Sequence, residues 1–270
     1  MSWRSSLEVC DIETGRTHVV LRSDRLIEAP NWHPDGWFLV NGEGRLWRAD
    51  ANGLTAIETG SAERCNNDHG FLPDGRIVFS AHDGTGAGMH VFGPDGLTTL
   101  PQPRPSWWHG AHGQHLAYAC VRGGDRVVRI AVHDGKTETV LTDWAGHHDG
   151  PDFSACGNWI WFNSDATGHA QIWRMRLDGT DAAPVFRDER VNWFPHPSPC
   201  GGHVIYLSYP PGTLGHPRDL DVSIWRMAPD GSGRRKLFDL FGGQGSINVP
   251  CWSPDGRAFA FMRYAPETDQ

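Results

Sequence analysis

The sequence predicts an all-β fold, a six-bladed β-propeller of four-stranded antiparallel blades. Three observations predict it: a turn that recurs about every 44 residues, a composition rich in turn formers and aromatics, and termini that read as two halves of one blade. The turn is written His33-Pro34-Asp35-Gly36, Leu72-Pro73-Asp74-Gly75 and Ser253-Pro254-Asp255-Gly256, with weaker copies at Ser154-Ala155-Cys156-Gly157 and Ser198-Pro199-Cys200-Gly201 and a shortened one at Ala111-His112-Gly113. Its glycines fall at 36, 75, 113, 157, 201 and 256, so six units use 264 of 270 residues and the whole chain, 1–270, reads as one propeller domain.

The order of elements within a unit is constant. A short segment such as Asn31-Trp32 or Cys251-Trp252 leads into the turn, and an apolar strand follows at 37–40, 77–79, 116–118, 159–162, 204–207 and 259–261. The next strand carries an apolar-Trp-Arg signature at 46–48, 172–174 and 224–226. It ends in Asn52-Gly53, Asp95-Gly96, Asp134-Gly135, Asp178-Gly179 or Asp230-Gly231, dipeptides that accept the positive φ of a tight reversal. A last strand, for example 137–141, closes the unit. At the amino terminus, 7–15 and 17–20 read as a third and fourth strand without a first and second, which 248–264 supply. Pairing the two ends completes blade six and removes an exposed sheet edge.

Composition excludes several classes. No run approaches the roughly 18 apolar residues of a membrane-spanning helix, and mean hydropathy is −0.46, so no membrane role is expected. The segment Met1 to Ser6 does not open a secretory leader, and a cytoplasmic location is expected. With 24 basic against 32 acidic residues and no basic block, a nucleic-acid partner lacks its electrostatic footprint. Six isolated cysteines without a C-x-x-C pair suit reduced thiols that fill small spaces.

The turn Trp252-Ser253-Pro254-Asp255-Gly256-Arg257, the strands Ile172-Trp173-Arg174-Met175 and Ile224-Trp225-Arg226-Met227 with Asp-Gly behind them, and Leu141-Thr142-Asp143 resemble the repeats of TolB-like propellers over nearly the full length. In TolB the propeller follows an amino-terminal domain and works as a periplasmic protein-interaction module, so the resemblance implies a protein partner. Neither that domain nor an export signal is expected here. The repeats are also similar to those of oligogalacturonate lyase, a cytoplasmic enzyme with a divalent metal held by histidines and a glutamine in its pore. That resemblance implies metal-assisted lyase chemistry.

Polar departures from the repeat fall just ahead of the innermost strand of each blade: Arg64 to Gly70, Ser106 to Gly110, Gly146 to Asp152, Asn192 to Pro197 and Gly242 to Pro250. Repeat-matching positions build scaffold, so function is sought where the pattern breaks. Taken singly, a histidine or aspartate at a propeller mouth is ordinarily solvated or bonded to backbone, but five such segments converge on one axis. His69, His109, His196 and Gln244 are the candidate ligands of a manganese, zinc or iron ion, a set suited to nitrogen and oxygen donors. Blades two and five face each other across a six-fold ring, which sets His196 apart from His69 and favours ligands from adjacent blades. Asn67, Asp68, Trp108, Asp152, Asn192, Trp193 and Asn248 are candidate contacts to a small polar molecule, a saccharide above all, since an aromatic ring suits the C–H face of a sugar. Asp149 or His148 is the candidate base for a lyase-type proton abstraction. Trp47, Trp161, Trp173 and Trp225 are expected to pack between blades. The insertion from Tyr209 to Asp221 is read as a lid or a surface excursion. The competing reading is a rigid disc that binds a protein or small ligand without turnover.

Overall fold

The computed structural model describes residues 4–265, among which strands, turns and irregular segments occur and no helix. Met1, Ser2 and Trp3 of the opening segment, and 266–270, lie outside the described residues.

Five antiparallel sheets follow in chain order, each with its first strand innermost. Blade 1 is Glu28–Trp32, Phe38–Gly42, Arg45–Asp50 and Gly53–Ile57; blade 2 is Cys65–Phe71, Ile77–His82, Ala87–Gly93 and Gly96–Thr99. Blade 3 is Ser106–His112, His115–Val121, Val128–His133 and Glu138–Val140; blade 4 is His148–Phe153, Trp159–Ser164, Gln171–Arg176 and Ala183–Pro184. Blade 5 is Val191–Pro197, Val204–Tyr209, Arg218–Met227 and Arg235–Gly243.

The recurring turn closes alike in every full copy. The glycine amide donates to the carbonyl three residues back, Gly36 to His33, Gly75 to Leu72 and Gly256 to Ser253, each at 2.9 Å. These glycines sit at φ 86°, 85° and 69°, a region costly to a residue with a Cβ.

The sixth blade closes the ring as expected. Ser5–Asp11 lies between Thr17–Ser23 and Ala258–Tyr264, with Ser5 opposite Tyr264, Leu7 opposite Met262 and Asp11 opposite Ala258. Its innermost strand is reduced to one bridge, Trp252 to Phe259. Pro250 and Pro254 bracket Trp252, and neither has an amide hydrogen to give a ladder.

The core sits between neighbouring blades. Trp161 and Tyr206, 2% and 1% exposed, share a cluster with Ile172, Val204 and Met227 from blades 4 and 5. Trp173 packs with Ile130, Phe162 and Met175 between blades 3 and 4. Each large side chain buried this way contributes roughly 2–3 kcal/mol. Trp47 and Trp225 lie nearer the surface, the first under the Arg25 guanidinium and the second stacked on Tyr206.

Candidate functional site

One backbone device shapes the channel. The innermost strand of every one of blades 1 to 5 contains a β-bulge, between Glu28 and Asn31, Cys65 and His69, Trp108 and Gly110, Asp149 and Asp152, and Trp193 and His196. Bulges re-aim side chains and are common beside binding sites. Ala29, Gly150 and Phe194 hold the same place in blades 1, 4 and 5, at φ 55°, 61° and 53°. At Gly150 a Cβ would stand 2.8 Å from Asn163 Oδ1 and 3.1 Å from the Phe194 ring, so only glycine fits.

Residues just after the bulges form a buried polar layer across the channel. His69 Nδ1 lies 2.6 Å from Asn31 Oδ1 and its Nε2 lies 3.0 Å from Asn41 Oδ1, while Asn31 donates to the Pro250 carbonyl. Asn67 Oδ1 accepts from Asn41 Nδ2 in the same network. His196 Nε2 donates to the Ile247 carbonyl at 2.7 Å, and its Nδ1 faces Asp152 Oδ2 at 2.8 Å. The layer ties blades 1, 2, 4, 5 and 6 together.

Above it, at the end where one blade crosses to the next, lies a cavity of about 200 Å³ lined by Asp68, Trp107, His109, Asp149, His216, Gln244 and Asn248. His109, unpaired at its bulge, brings Nε2 to 3.3 Å from Asp149 Oδ1 and 3.8 Å from Asp68 Oδ1. His147 Nε2 and His216 Nε2 approach Asp149 Oδ2 at 3.7 and 3.9 Å. Three imidazoles from three blades thus surround one buried carboxylate. Nδ1 of both His109 and His216 is buried without a hydrogen-bond partner.

The electrostatics follow from burial and these neighbours. Burial works against a charged His109, but Asp149 and Asp68 outweigh it and raise its pKa. Burial likewise opposes an ionised Asp149, yet His109 and His147 hold its carboxyl well below the usual range. Burial raises Asp68 to about 6, with His109 opposing. Asp149 raises His147, and burial lowers His216. The site therefore favours the charged forms of His109 and Asp149 together, beside a second carboxyl raised to about 6.

Of the residues singled out in the sequence, Asp68, His109, Asp149, Gln244 and Asn248 come together here. His69, Asn67 and His196 lie in the polar layer, and Asp152 and Trp108 line a cavity at the opposite end of the channel. Asn192 is fully buried and donates to Asp188 Oδ1 at 2.9 Å. His148 points away from its neighbour Asp149, because alternate residues of a strand face opposite sides; its Nε2 meets the Trp144 carbonyl at 3.2 Å. His147, two residues from Asp149, takes the place expected of it. Trp193 lines a flanking cavity and packs edge-on against His216 at 4.4 Å.

Sequence reasoning missed His147 and His216. The signal for His216 was the insertion itself, which folds over the mouth, with Gln244 N donating to the Pro217 carbonyl at 3.2 Å. The expected metal set does not assemble: His69 and His196 engage both ring nitrogens within the protein. Among the described residues no group of three or more His, Cys, Asp or Glu is placed to hold a metal ion.

No family model matches the chain. An uncharacterized protein of Agrobacterium fabrum is 44% identical over 283 residues, spanning 98% of this chain and 94% of that protein. The solved structure of a TolB-like protein from Agrobacterium tumefaciens is 42% identical, covers 99% of this chain and all 100% of its own, and superimposes with a TM-score of 0.94. TolB from Acinetobacter baumannii shares the fold at 17% identity and a TM-score of 0.63, over 90% of this chain and 65% of that one. An oligogalacturonate lyase solved with manganese shares it at 16% identity and a TM-score of 0.54, over 94% of this chain and 78% of that one. Blade number, ring closure and near full-length identity agree, and the chain belongs to the TolB-like family of six-bladed β-propellers.

Proposed function

We propose that the crossover-end mouth binds a small, uncharged, polyhydroxylated ligand about the size of one sugar ring. The observation that carries this reading is the meeting of the His109–Asp149 pair with Gln244 and Asn248 in one pocket that retains a buried, unpartnered ring nitrogen on His109. Buried polar atoms are ordinarily satisfied, and hydroxyl groups both donate and accept. Opposite charges are paired within the pocket, Asp149 raising His109 and His147 and being lowered by them. No lysine or arginine lines the pocket, which favours a neutral sugar over a uronate. Trp107 offers an aromatic wall.

The chemistry available to this pocket is proton donation from His109 to a bound oxygen, with Asp149 favouring the imidazolium that donates. No step is assigned to a metal. A protein partner is the second reading, the one that the likeness to TolB implies. Thermal-shift and calorimetric titration with neutral mono- and disaccharides, uronates and divalent ions tests the proposal. A neutral sugar should stabilise the wild type, and Gln244→Ala and Asn248→Ala should abolish the effect. Stabilisation by uronates or divalent ions alone, or by no probe, overturns it.

A further inference from the structure

The opposite end of the channel is built differently. The last residue of the innermost strand of each blade falls there, just ahead of the recurring turn: Trp32, Phe71, His112, Phe153, Pro197 and, at the reduced sixth strand, Trp252. The repeat thus places one ring or proline per blade around a cavity of about 360 Å³, within the usual range of small-molecule sites. Trp108 also lines it, 1% exposed and with its indole Nε1 lacking any hydrogen-bond partner.

The polar side chains of this funnel are mostly committed, the Ser154 and Ser198 hydroxyls accepting from the Trp159 and His203 amides. Asn31 is engaged at both ends of its amide, by His69 and by the Pro250 carbonyl. Asp152 accepts from the Phe153 amide through Oδ1 and faces His196 through Oδ2. It is the one carboxylate among the lining residues, and no lysine or arginine accompanies it. A sugar needs many free donors and acceptors, and this wall offers few. An alkylated ammonium needs none: it is attracted by ring faces.

We propose that this funnel is a second ligand site, separate from the crossover-end mouth, that binds a small organic cation of the quaternary or alkylated ammonium class. Trp32, Phe71 and Trp252 supply the aromatic wall, and the Asp152–His196 pair, which shares one proton, closes its floor. The polar layer of Asn31, His69, Asp152 and His196 stands between the two sites, so each can be occupied without the other.

The test uses choline and 3,3-dimethyl-1-butanol, its uncharged carbon isostere, titrated calorimetrically and by tryptophan fluorescence against the full chain. The account expects choline to bind roughly tenfold or more tighter than the isostere. Trp32→Leu and Phe71→Leu, both at the half-buried rim, should weaken choline more than the isostere. The proposal is overturned if choline does not bind at about 10 mM, if the isostere matches it, or if the rim variants bind choline as the wild type does.

Discussion

Replacing Asp149 by asparagine removes the carboxylate on which three imidazoles converge. Asp149 and His109 have side chains only 15% and 5% exposed, so their 3.3 Å contact is little screened by water. Breaking a buried pair by removing one partner costs roughly 3–5 kcal/mol. Asp68 remains 3.8 Å from His109, which places the cost near about 3 kcal/mol. For a chain of this size that lowers Tm by roughly 6–12 °C. The sign in pH is set by both partners. The folded pKa of Asp149 lies well below the ordinary 3.8, so its contribution is present above that value and lost as pH falls through the depressed one. That of His109 lies above the ordinary 6.5, so its contribution is present below 6.5 and lost as pH rises through the raised value. The gap between wild type and Asp149→Asn is therefore widest between roughly pH 4 and 6.5 and shrinks in alkali, where a neutral imidazole faces the buried carboxylate. Circular-dichroism melts of both proteins across this range measure it. A gap below about 1 °C at pH 5.5, or one that does not change with pH, refutes the reasoning.

Three further outcomes are expected. Asp68→Asn should stabilise at pH 8 by up to about 3 kcal/mol and be neutral at pH 4, because burial raises the carboxyl to about 6 and its ionisation above that pH opposes folding; an unchanged or lower Tm at pH 8 contradicts this. Gly150→Ala should cost about 2 kcal/mol or more, since the residue sits at φ 61° with Asn163 and Phe194 in the way, and denaturant titration reads it. His216→Ala should release the insertion from Trp193 and Phe194, centroid distances 4.4 and 5.2 Å, and speed chymotryptic cleavage at Leu214 several-fold; equal cleavage rates argue that the loop is held elsewhere.

The fold was legible because the turn is local chemistry. A Pro-Asp-Gly run fixes its own backbone, and three such copies with three weaker ones at the same spacing leave little freedom in blade number. The mouth was legible only in part. His109, Asp149 and Asp68 were found because they break a repeat, but the choice of His148 over His147 and of Trp108 over Trp107 depended on strand parity. A bulge inserts a residue into one strand, and a one-residue change moves a side chain to the other face. Nothing in the composition of Trp193-Phe194-Pro195 marks the bulge that puts Phe194 at φ 53°. His69 and His196 looked like ligands by type; their amide, carboxylate and backbone partners come from other blades. His216 sits in an insertion whose destination is set by packing on Trp193, a contact between residues 23 apart in the chain.

The most direct test of a ligand site built from blades 2 to 5 and the crossover into blade 6 is nuclear magnetic resonance of the imidazole C–H signals while neutral saccharides are titrated into the protein. The ring signals of His109, His147 and His216 should move together and saturate at one concentration, while those of His69 and His196 stay in place. Saccharides that leave all three signals unmoved, or that shift His69 and His196 instead, contradict the account.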